Sequence, residues 1–280
     1  FISNDLYSDW QGDERVDIEV AKDAAMCHDL MRTLKGKPFM LMESTPSMVN
    51  WKGVNKPKRP GVHELSEMQA VAHGADAVQY FQWRKSRGCS EKFHGAVVDH
   101  VGHENTRVFR EVSRLGERLK KLDDIVGTLT EAKAAILYDW VNDWALKDAR
   151  AFHPWDKKLM KTVKSFYSPL WENGIDTDII GVEDSFEKYR LIIAPMMYSI
   201  SEGLAEKLEG FVKQGGILLA TYMTGMVDEN DLCYLGGLPC GRLKEVFGIW
   251  NEEIDSLFPE EKNRVLLKDG TAVTAVDYCE

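Results

Sequence analysis

The sequence lacks a surplus of basic residues: 35 Lys and Arg stand against 45 Asp and Glu, a formal net charge of −10. Neutralising phosphates requires a cationic face, so nucleic-acid binding is excluded, and neutral small molecules or other proteins are the expected partners. Cysteine is scarce. Cys27, Cys89, Cys233, Cys240 and Cys279 are odd in number and scattered in spacing. That pattern argues against a disulfide framework, a zinc ribbon or a redox pair, and reduced thiols in a cytoplasmic protein are expected. No apolar run approaches the roughly 20 residues of a membrane-crossing helix, and no charged-then-apolar leader opens the chain, so the protein is expected to be soluble. Internal repeats and low-complexity linkers are also missing. Phe1-Ile2-Ser3-Asn4 reads as a strand already under way, which points to a piece of a longer polypeptide.

What is present suffices for two domains. With 280 residues and 44% hydrophobic content, the chain exceeds the size at which one core usually stops growing. Residues 1–128 alternate short apolar runs with helical patterns, the signature of βα units around a parallel sheet. Strands are predicted at 1–4, 38–42 and 77–81, and helices at 15–33 and 64–73. The first helix carries Val16, Val20, Ala24, Cys27, Leu30 and Met31 along one stripe. Val108, Phe109, Val112, Leu115, Leu119 and Leu122 define a long amphipathic helix, with Gly127 placed to stop it.

Residues 129–280 restart the rhythm. Near-continuous apolar strands are predicted at 134–138, 177–180, 191–194 and 217–222, as in a sheet covered on both faces. Helices are expected at 155–171, closed by Gly174, and at 202–213, capped by Ser201 and ended by Gly215-Gly216. This half reads as a doubly wound α/β domain. Residues 243–258 read as helix or irregular, and 264–278 as strand pairs around a turn at Asp269-Gly270.

The chemistry concentrates where the apolar run Phe39-Met40-Leu41-Met42 ends in Glu43 and enters the polar loop Ser44 to Trp51. In a βα barrel the active site sits at the C-terminal strand ends, so a carboxylate there can face substrate; it can equally be an exposed acid ending an ordinary strand. The third strand repeats the layout, with Tyr80-Phe81-Gln82-Trp83-Arg84 followed by Glu91 and His94. Aromatic rings at a strand mouth can stack on the apolar face of a sugar while carboxylates and imidazoles take its hydroxyls, or they can fill the core. For metal binding, His100, His103 and Glu104 lie close together in a Gly-containing loop, short of the four ligands a closed site needs.

Met42-Glu43, Val49-Asn50-Trp51, Gly74-Ala75-Asp76, Tyr80 to Arg84 and Glu91-Lys92-Phe93-His94-Gly95, in this order and spacing, resemble family 42 glycoside hydrolases, the retaining β-galactosidases. Ile2-Ser3-Asn4-Asp5 is similar to a strand-end segment of the same family. The resemblance implies an α/β fold: the C-terminal portion of a (β/α)8 TIM barrel over 1–128, then a flavodoxin-like, class I glutamine amidotransferase-like trimerisation domain over 129–280. It implies Glu43 as the catalytic nucleophile, Trp51 stacked on galactose, Phe81 lining the subsite, and Glu91 and His94 bonding hydroxyls. Asn4 and Tyr7 are further sugar-binding candidates, although the family often has His where this chain has Leu6.

The resemblance further implies a galactoside substrate and a homotrimer; some family members hold zinc with a cysteine cluster in a part this chain does not include, so none of its five cysteines inherits that role, and neither cofactor nor metal is expected here. The family's acid/base glutamate belongs to an earlier strand and has no counterpart here. Asn251-Glu252 and Asn230 beside Glu229 match its Asn-Glu motif in letters alone, so this chain by itself is expected to be inactive. A non-catalytic oligomerisation module is the competing reading. Catalysis by the second half is not expected: no Gly-rich phosphate loop follows its first strand, and Pro195-Met196-Met197-Tyr198 is not a nucleophile elbow. Trp140, Trp144, Phe152 and Trp155 are candidate interface or subsite aromatics, or core.

Overall fold

A computed structural model describes residues 1–8, 10, 16–150, 152 and 157–279. The chain divides into two compact units, Phe1–Glu131 and Ala132–Glu280.

The first unit runs β1 (Ser3–Asp5), α1 (Asp17–Thr33), β2 (Phe39–Ser44), α2 (Val62–Ala72), β3 (Ala75–Tyr80) and α3 (Arg107–Leu119). Its described strands form a parallel sheet in the order β1-β2-β3. Helical crossovers are what parallel neighbours require. Phe39 and Leu41, two apart on β2, point the same way and pack with Ala70 of α2 and Ala75 of β3 into a small apolar cluster.

Strict alternation would next send Glu43 into that helix-facing layer. It does not, because the register slips: Asn4 lies opposite Leu41 but Asp5 lies opposite Glu43, leaving one extra residue in β2. Such a bulge places two consecutive side chains on one face. Leu41 and Ser44 are buried on the helix side, 3% and 2% exposed, while Met42 and Glu43 between them are not buried.

Several boundaries differ from the sequence expectation. β2 extends through Ser44, so Glu43 sits inside the strand, and Phe1 lies outside β1 at 86% exposure. β3 starts at Ala75, before the predicted 77. Val16 caps α1 instead of packing in its stripe, and Arg15 lies outside the described residues. The buried face of α1 includes Val20 and Ala24, but also His28, Asp29 and Arg32. Asp29 is paired with Arg32 at 2.8 Å and with His73 of the α2 C-cap at 2.7 Å, which lets these polar groups be buried. Gly127, at φ +76, follows a 3-10 turn at Asp123–Ile125 and not α3, which ends at Leu119.

The second unit runs β4 (Ala134–Leu137), α4 (Trp140–Asp148), α5 (Leu159–Glu172), β5 (Thr177–Ile180), β6 (Leu191–Ala194), α6 (Glu202–Lys213) and β7 (Ile217–Ala220). Its described parallel strands take the order β5-β4-β6-β7. The core is apolar: Leu137, Ile180, Ile192, Leu204, Leu208 and Phe211 belong to one buried cluster. Ser201 Oγ accepts from Leu204 N at 3.1 Å to start α6, and Gly215 follows its end at φ +92.

The helix α4 is not anticipated in the sequence; Asp139 Oδ2 caps it by accepting from Asn142 N at 2.8 Å. Helix α5 begins at Leu159, later than predicted, and Trp155 lies outside the described residues. β7 departs from the fully covered pattern because it is an edge strand, leaving Ile217 64% exposed. Beyond it come α7 (Gly241–Phe247), β8 (Asp255–Ser256), the antiparallel pair β9 (Asn263–Leu266) and β10 (Ala272–Ala275), and β11 (Tyr278–Cys279), which pairs with β8. Gly270, at φ +85, occupies the turn between β9 and β10.

Candidate active site

The ends of the three strands in the first unit are pinned side by side. Leu6 N donates to Glu43 O at 2.9 Å, and Phe81 N donates to Ser44 O at 2.9 Å. Tyr7 after β1, Glu43 in β2 and Phe81 after β3 are therefore brought to one end of the sheet. Two loops complete the group. Asn50 Nδ2 donates to Ser90 O at 2.8 Å, and Gly95 N donates to Met48 O at 2.7 Å, so the loop carrying Trp51 is tied to the loop carrying Glu91 and His94. A Cβ on Gly95 would come within 2.8 Å of Met48 O and 2.7 Å of Met48 N, so only glycine permits this approach.

The rings form a cluster around His94. Its centroid lies 5.2 Å from Trp51 in a stacked arrangement, and 4.9 Å from Phe81 and 5.7 Å from Tyr7 edge to face. Tyr7 also meets Trp51 edge-on at 4.9 Å. The Tyr7 hydroxyl lies near the Glu43 carboxylate, close enough to feel its charge and accepting lone pairs. Burial, then that charge and those lone pairs, with weaker contributions from Asp5 and Glu91, push the Tyr7 pKa well above the usual tyrosine value. Tyr7 therefore remains a phenol and a donor.

His94 is fully buried, with Nδ1 3.0 Å from Gly95 O. A carbonyl can only accept, so Nδ1 carries the proton, and in the neutral ring Nε2 is an acceptor. Among the described residues Nε2 has no hydrogen-bond partner. A buried, unsatisfied acceptor is costly unless a ligand supplies a donor. An oriented carboxylate, a hydroxyl donor, aromatic rings and an imidazole acceptor at one strand end suit a ring-shaped, polyhydroxylated ligand.

Family models decide what this arrangement belongs to: residues 1–122 match the glycoside hydrolase family 42 "Beta-galactosidase" model and residues 132–280 match "Beta-galactosidase trimerisation domain". The chain belongs to glycoside hydrolase family 42. Beta-galactosidase Pbg of Clostridium perfringens is 53% identical over 273 residues, covering 97% of this chain and 39% of its own length. Beta-galactosidase BglY of Alicyclobacillus acidocaldarius is 50% identical over 279 residues, covering 100% of this chain and 40% of its own. Among solved structures, the GH42 beta-galactosidase Gan42B of G. stearothermophilus has a TM-score of 0.94 at 49% identity, with 99% of this chain and 40% of that chain covered. A beta-galactosidase from Rahnella sp. R3 has a TM-score of 0.91 at 49% identity, covering 100% of this chain and 42% of that one. The family 42 chain described here thus spans about two fifths of the length of these relatives.

Of the residues singled out in the sequence, Tyr7, Trp51, Phe81 and His94 are in ring contact, and Glu43 joins them through Tyr7. Glu91 is exposed and close enough for its charge to act on Tyr7. Asn4 stands apart: its Nδ2 donates to Cys27 Sγ of α1 at 3.4 Å, on the helix side. Leu6, where the family often has His, packs against the Phe39–Leu41 cluster.

His100 Nε2 bonds Ser86 O at 2.8 Å, His103 Nδ1 accepts from Asn105 N at 3.2 Å, and among the described residues no cluster suited to a metal ion occurs. No helix among them is long and apolar enough to cross a membrane. In the second unit, β6 runs into a turn with Met196 at φ +45. Nucleophile elbows place their nucleophile on such strained turns. Here the side chain is a fully buried thioether, and the Met196 N–H donates to Thr221 Oγ1 at 2.8 Å.

Lys58 and Glu67 escape a reading of the sequence. Lys-Pro-Lys-Arg-Pro looks like a solvated loop, yet Lys58 is 6% exposed and Glu67 is 1% exposed behind Ser44. The one available signal is that Glu67 shares a face of α2 with the buried His63 and Ala70.

Proposed function

We propose that this chain is the nucleophile-bearing part of a retaining β-galactosidase that hydrolyses terminal non-reducing β-D-galactose residues. The observation that carries the reading is the Glu43 carboxylate placed near the Tyr7 hydroxyl, whose ring belongs to the cluster around His94, in a family 42 chain whose relatives are named β-galactosidases. The first unit, with a boundary near residue 128, is then the C-terminal portion of a (β/α)8 barrel. The second is a doubly wound, flavodoxin-like or class I glutamine amidotransferase-like trimerisation domain of a cytoplasmic homotrimer.

Glu43 attacks the anomeric carbon and forms a galactosyl ester, while a second carboxyl group about 5–5.5 Å away protonates the leaving oxygen and then activates water. That second group lies on polypeptide preceding this chain. Tyr7 orients the attacking carboxylate through its hydroxyl. His94 Nε2 accepts from one sugar hydroxyl, Glu91 from another, and Trp51 and Phe81 offer aromatic surface to the pyranose. Asn4 serves to hold α1 against β1 through Cys27. No cofactor takes part.

In the full-length protein, Glu43→Ala is expected to lower hydrolysis of a chromogenic galactoside on the order of 10⁴-fold or more, as for other covalent nucleophiles, with partial rescue by azide. Unchanged hydrolysis removes Glu43 from this role. The isolated chain is expected to show no turnover.

Assembly has its own support. Trp140, Val141 and Trp144 on α4 are 48%, 55% and 62% exposed, a concentration of aromatic surface suited to an interface. Sedimentation of the full-length protein as a trimer is the expected result, and a strict monomer refutes the assembly reading.

A further inference from the structure

Behind the end of β2 lies a buried ion pair that the reaction above does not use. Lys58 Nζ donates to Thr45 O at 2.9 Å and to Ser66 Oγ at 3.3 Å, and stands 3.7 Å from Glu67 Oε1. The Ser44 hydroxyl lies 3.3 Å from Glu67 Oε1 and 3.1 Å from Gln79 O of β3. The two residues that follow Glu43 are therefore both held: Ser44 by its side chain and Thr45 by its carbonyl.

The same bonds reach the other half of the site. Lys58 N donates to Ser47 O at 2.9 Å, Thr45 Oγ1 donates to Met48 O at 3.0 Å, and Gly95 N donates to that same Met48 carbonyl at 2.7 Å. Gly95 adjoins His94. From the lysine, one short path thus leads to Glu43 and another to His94.

We propose that Lys58 and Glu67 are positioning residues, a buried pair that sets the end of β2 and the loop to Met48 so that Glu43 and His94 hold one geometry toward the sugar. The proposal rests on the β-galactosidase reading. Stability gives no reason for the pair, because replacing a buried ion pair by apolar side chains of similar volume is often neutral or stabilising. Burial outweighs mutual attraction in both groups, drawing the lysine's pKa down and the glutamate's up, and among the described residues Glu67 Oε2 has no hydrogen-bond partner. What the charged pair supplies beyond an apolar one is direction: the ammonium presents three donors, and the carboxylate accepts from the residue next to the nucleophile. Misplacing a reacting group by about 1 Å can lower a rate on the order of 100-fold.

The deciding experiment uses the full-length protein with Lys58→Met and Glu67→Leu combined, so that no lone charge stays buried. The expected result is a wild-type melting temperature within a few degrees, kcat for a chromogenic galactoside reduced about 100-fold, and KM changed by less than about threefold. Wild-type kcat in this folded double variant overturns the proposal, since a merely structural pair can be exchanged without loss of rate. Should the double variant melt early, Ser44→Ala decides: a several-fold fall in kcat at unchanged KM and melting temperature supports positioning, and unchanged kcat overturns it. Glu43→Ala is measured in parallel. Full activity there sinks the β-galactosidase reading itself, whereas loss of activity there with normal kcat in the double variant sinks the positioning role alone.

Discussion

The two units carry parallel sheets of similar construction but fill the layer between sheet and helices differently. In the second unit that layer is hydrocarbon, with Ile192, Leu204, Leu208 and Phe211 in one cluster. In the first, the apolar cluster around Phe39 and Leu41 is small, and Lys58, His63, Glu67, His28, Asp29 and Arg32 are buried around it. Six of the seven histidines, His28, His63, His73, His94, His100 and His103, belong to the first unit, with His28, His63 and His94 buried. A hydrocarbon layer holds a sheet without fixing any one atom. Hydrogen-bonded polar groups fix particular atoms but make stability depend on partners and pH. Of these groups, Lys58 and Glu67 stand behind the strand end that carries Glu43, while His28 and Arg32 lie toward the start of β2 and β3.

The largest expected contrast is between Glu67→Leu and Leu208→Ala, measured by denaturant unfolding. The first leaves Lys58 buried without its carboxylate and should destabilise the first unit by about 3–5 kcal/mol. Adding Lys58→Met should recover most of this loss. Leu208→Ala should destabilise the second unit by about 2–5 kcal/mol through a cavity. Lys58→Met should not repair that loss; if it does, the two layers are not independent.

Acid should separate the units next. Burial, reinforced by the positive charges of Lys58 and Arg107, depresses His63 to about 3, and burial with the charge of His73 depresses His28 to about 4. Both rings are neutral in the fold. Below the unfolded value of about 6.5 the unfolded chain binds protons that the folded chain refuses, so stability falls with pH and levels off below the folded pKa. At about 1.4 kcal/mol per pH unit, each histidine should remove about 2 kcal/mol between pH 6.5 and 5. Hydrogen exchange resolved by residue should place this loss in the first unit, and His63→Phe should flatten its slope. An equal acid loss in the second unit breaks the comparison.

The smallest effect concerns what the units share. Thr106 Oγ1 accepts from Phe109 N at 3.2 Å as Ser201 Oγ does from Leu204 N at 3.1 Å. Ser201→Ala and Thr106→Ala should each cost about 1 kcal/mol in thermal unfolding. A much larger loss from Thr106→Ala would tie the cap to the Arg107–Glu111 pair beside it, 2.8 Å apart.

Much of the second unit was legible, because its apolar strands and the helix from Glu202 to Lys213 follow periodicity and caps alone. The short helix α4 was not, since Trp140-Val141-Asn142-Asp143-Trp144 exposes its aromatics and so lacks an apolar stripe facing inward. In the first unit the site residues could be picked out as a carboxylate, aromatics and a histidine near strand ends. Alternation from Phe39 and Leu41 predicts the wrong face for Glu43, and only the slip in register against β1 turns it. Burial of Lys58 was equally hidden, because no local pattern distinguishes a solvated lysine from one folded under the neighbouring strand.

The sequence alone determined most of the element types, the two-part organisation and the chemical inventory, since propensity, periodicity and capping act over a few neighbouring residues. Tertiary structure decided which of these groups meet. Pairing register set the direction of Glu43, loop closure at Gly95 brought His94 beneath Trp51, and packing of α2 against β2 buried Lys58 with Glu67. These outcomes depend on contacts between residues far apart along the chain, where local preference carries no information.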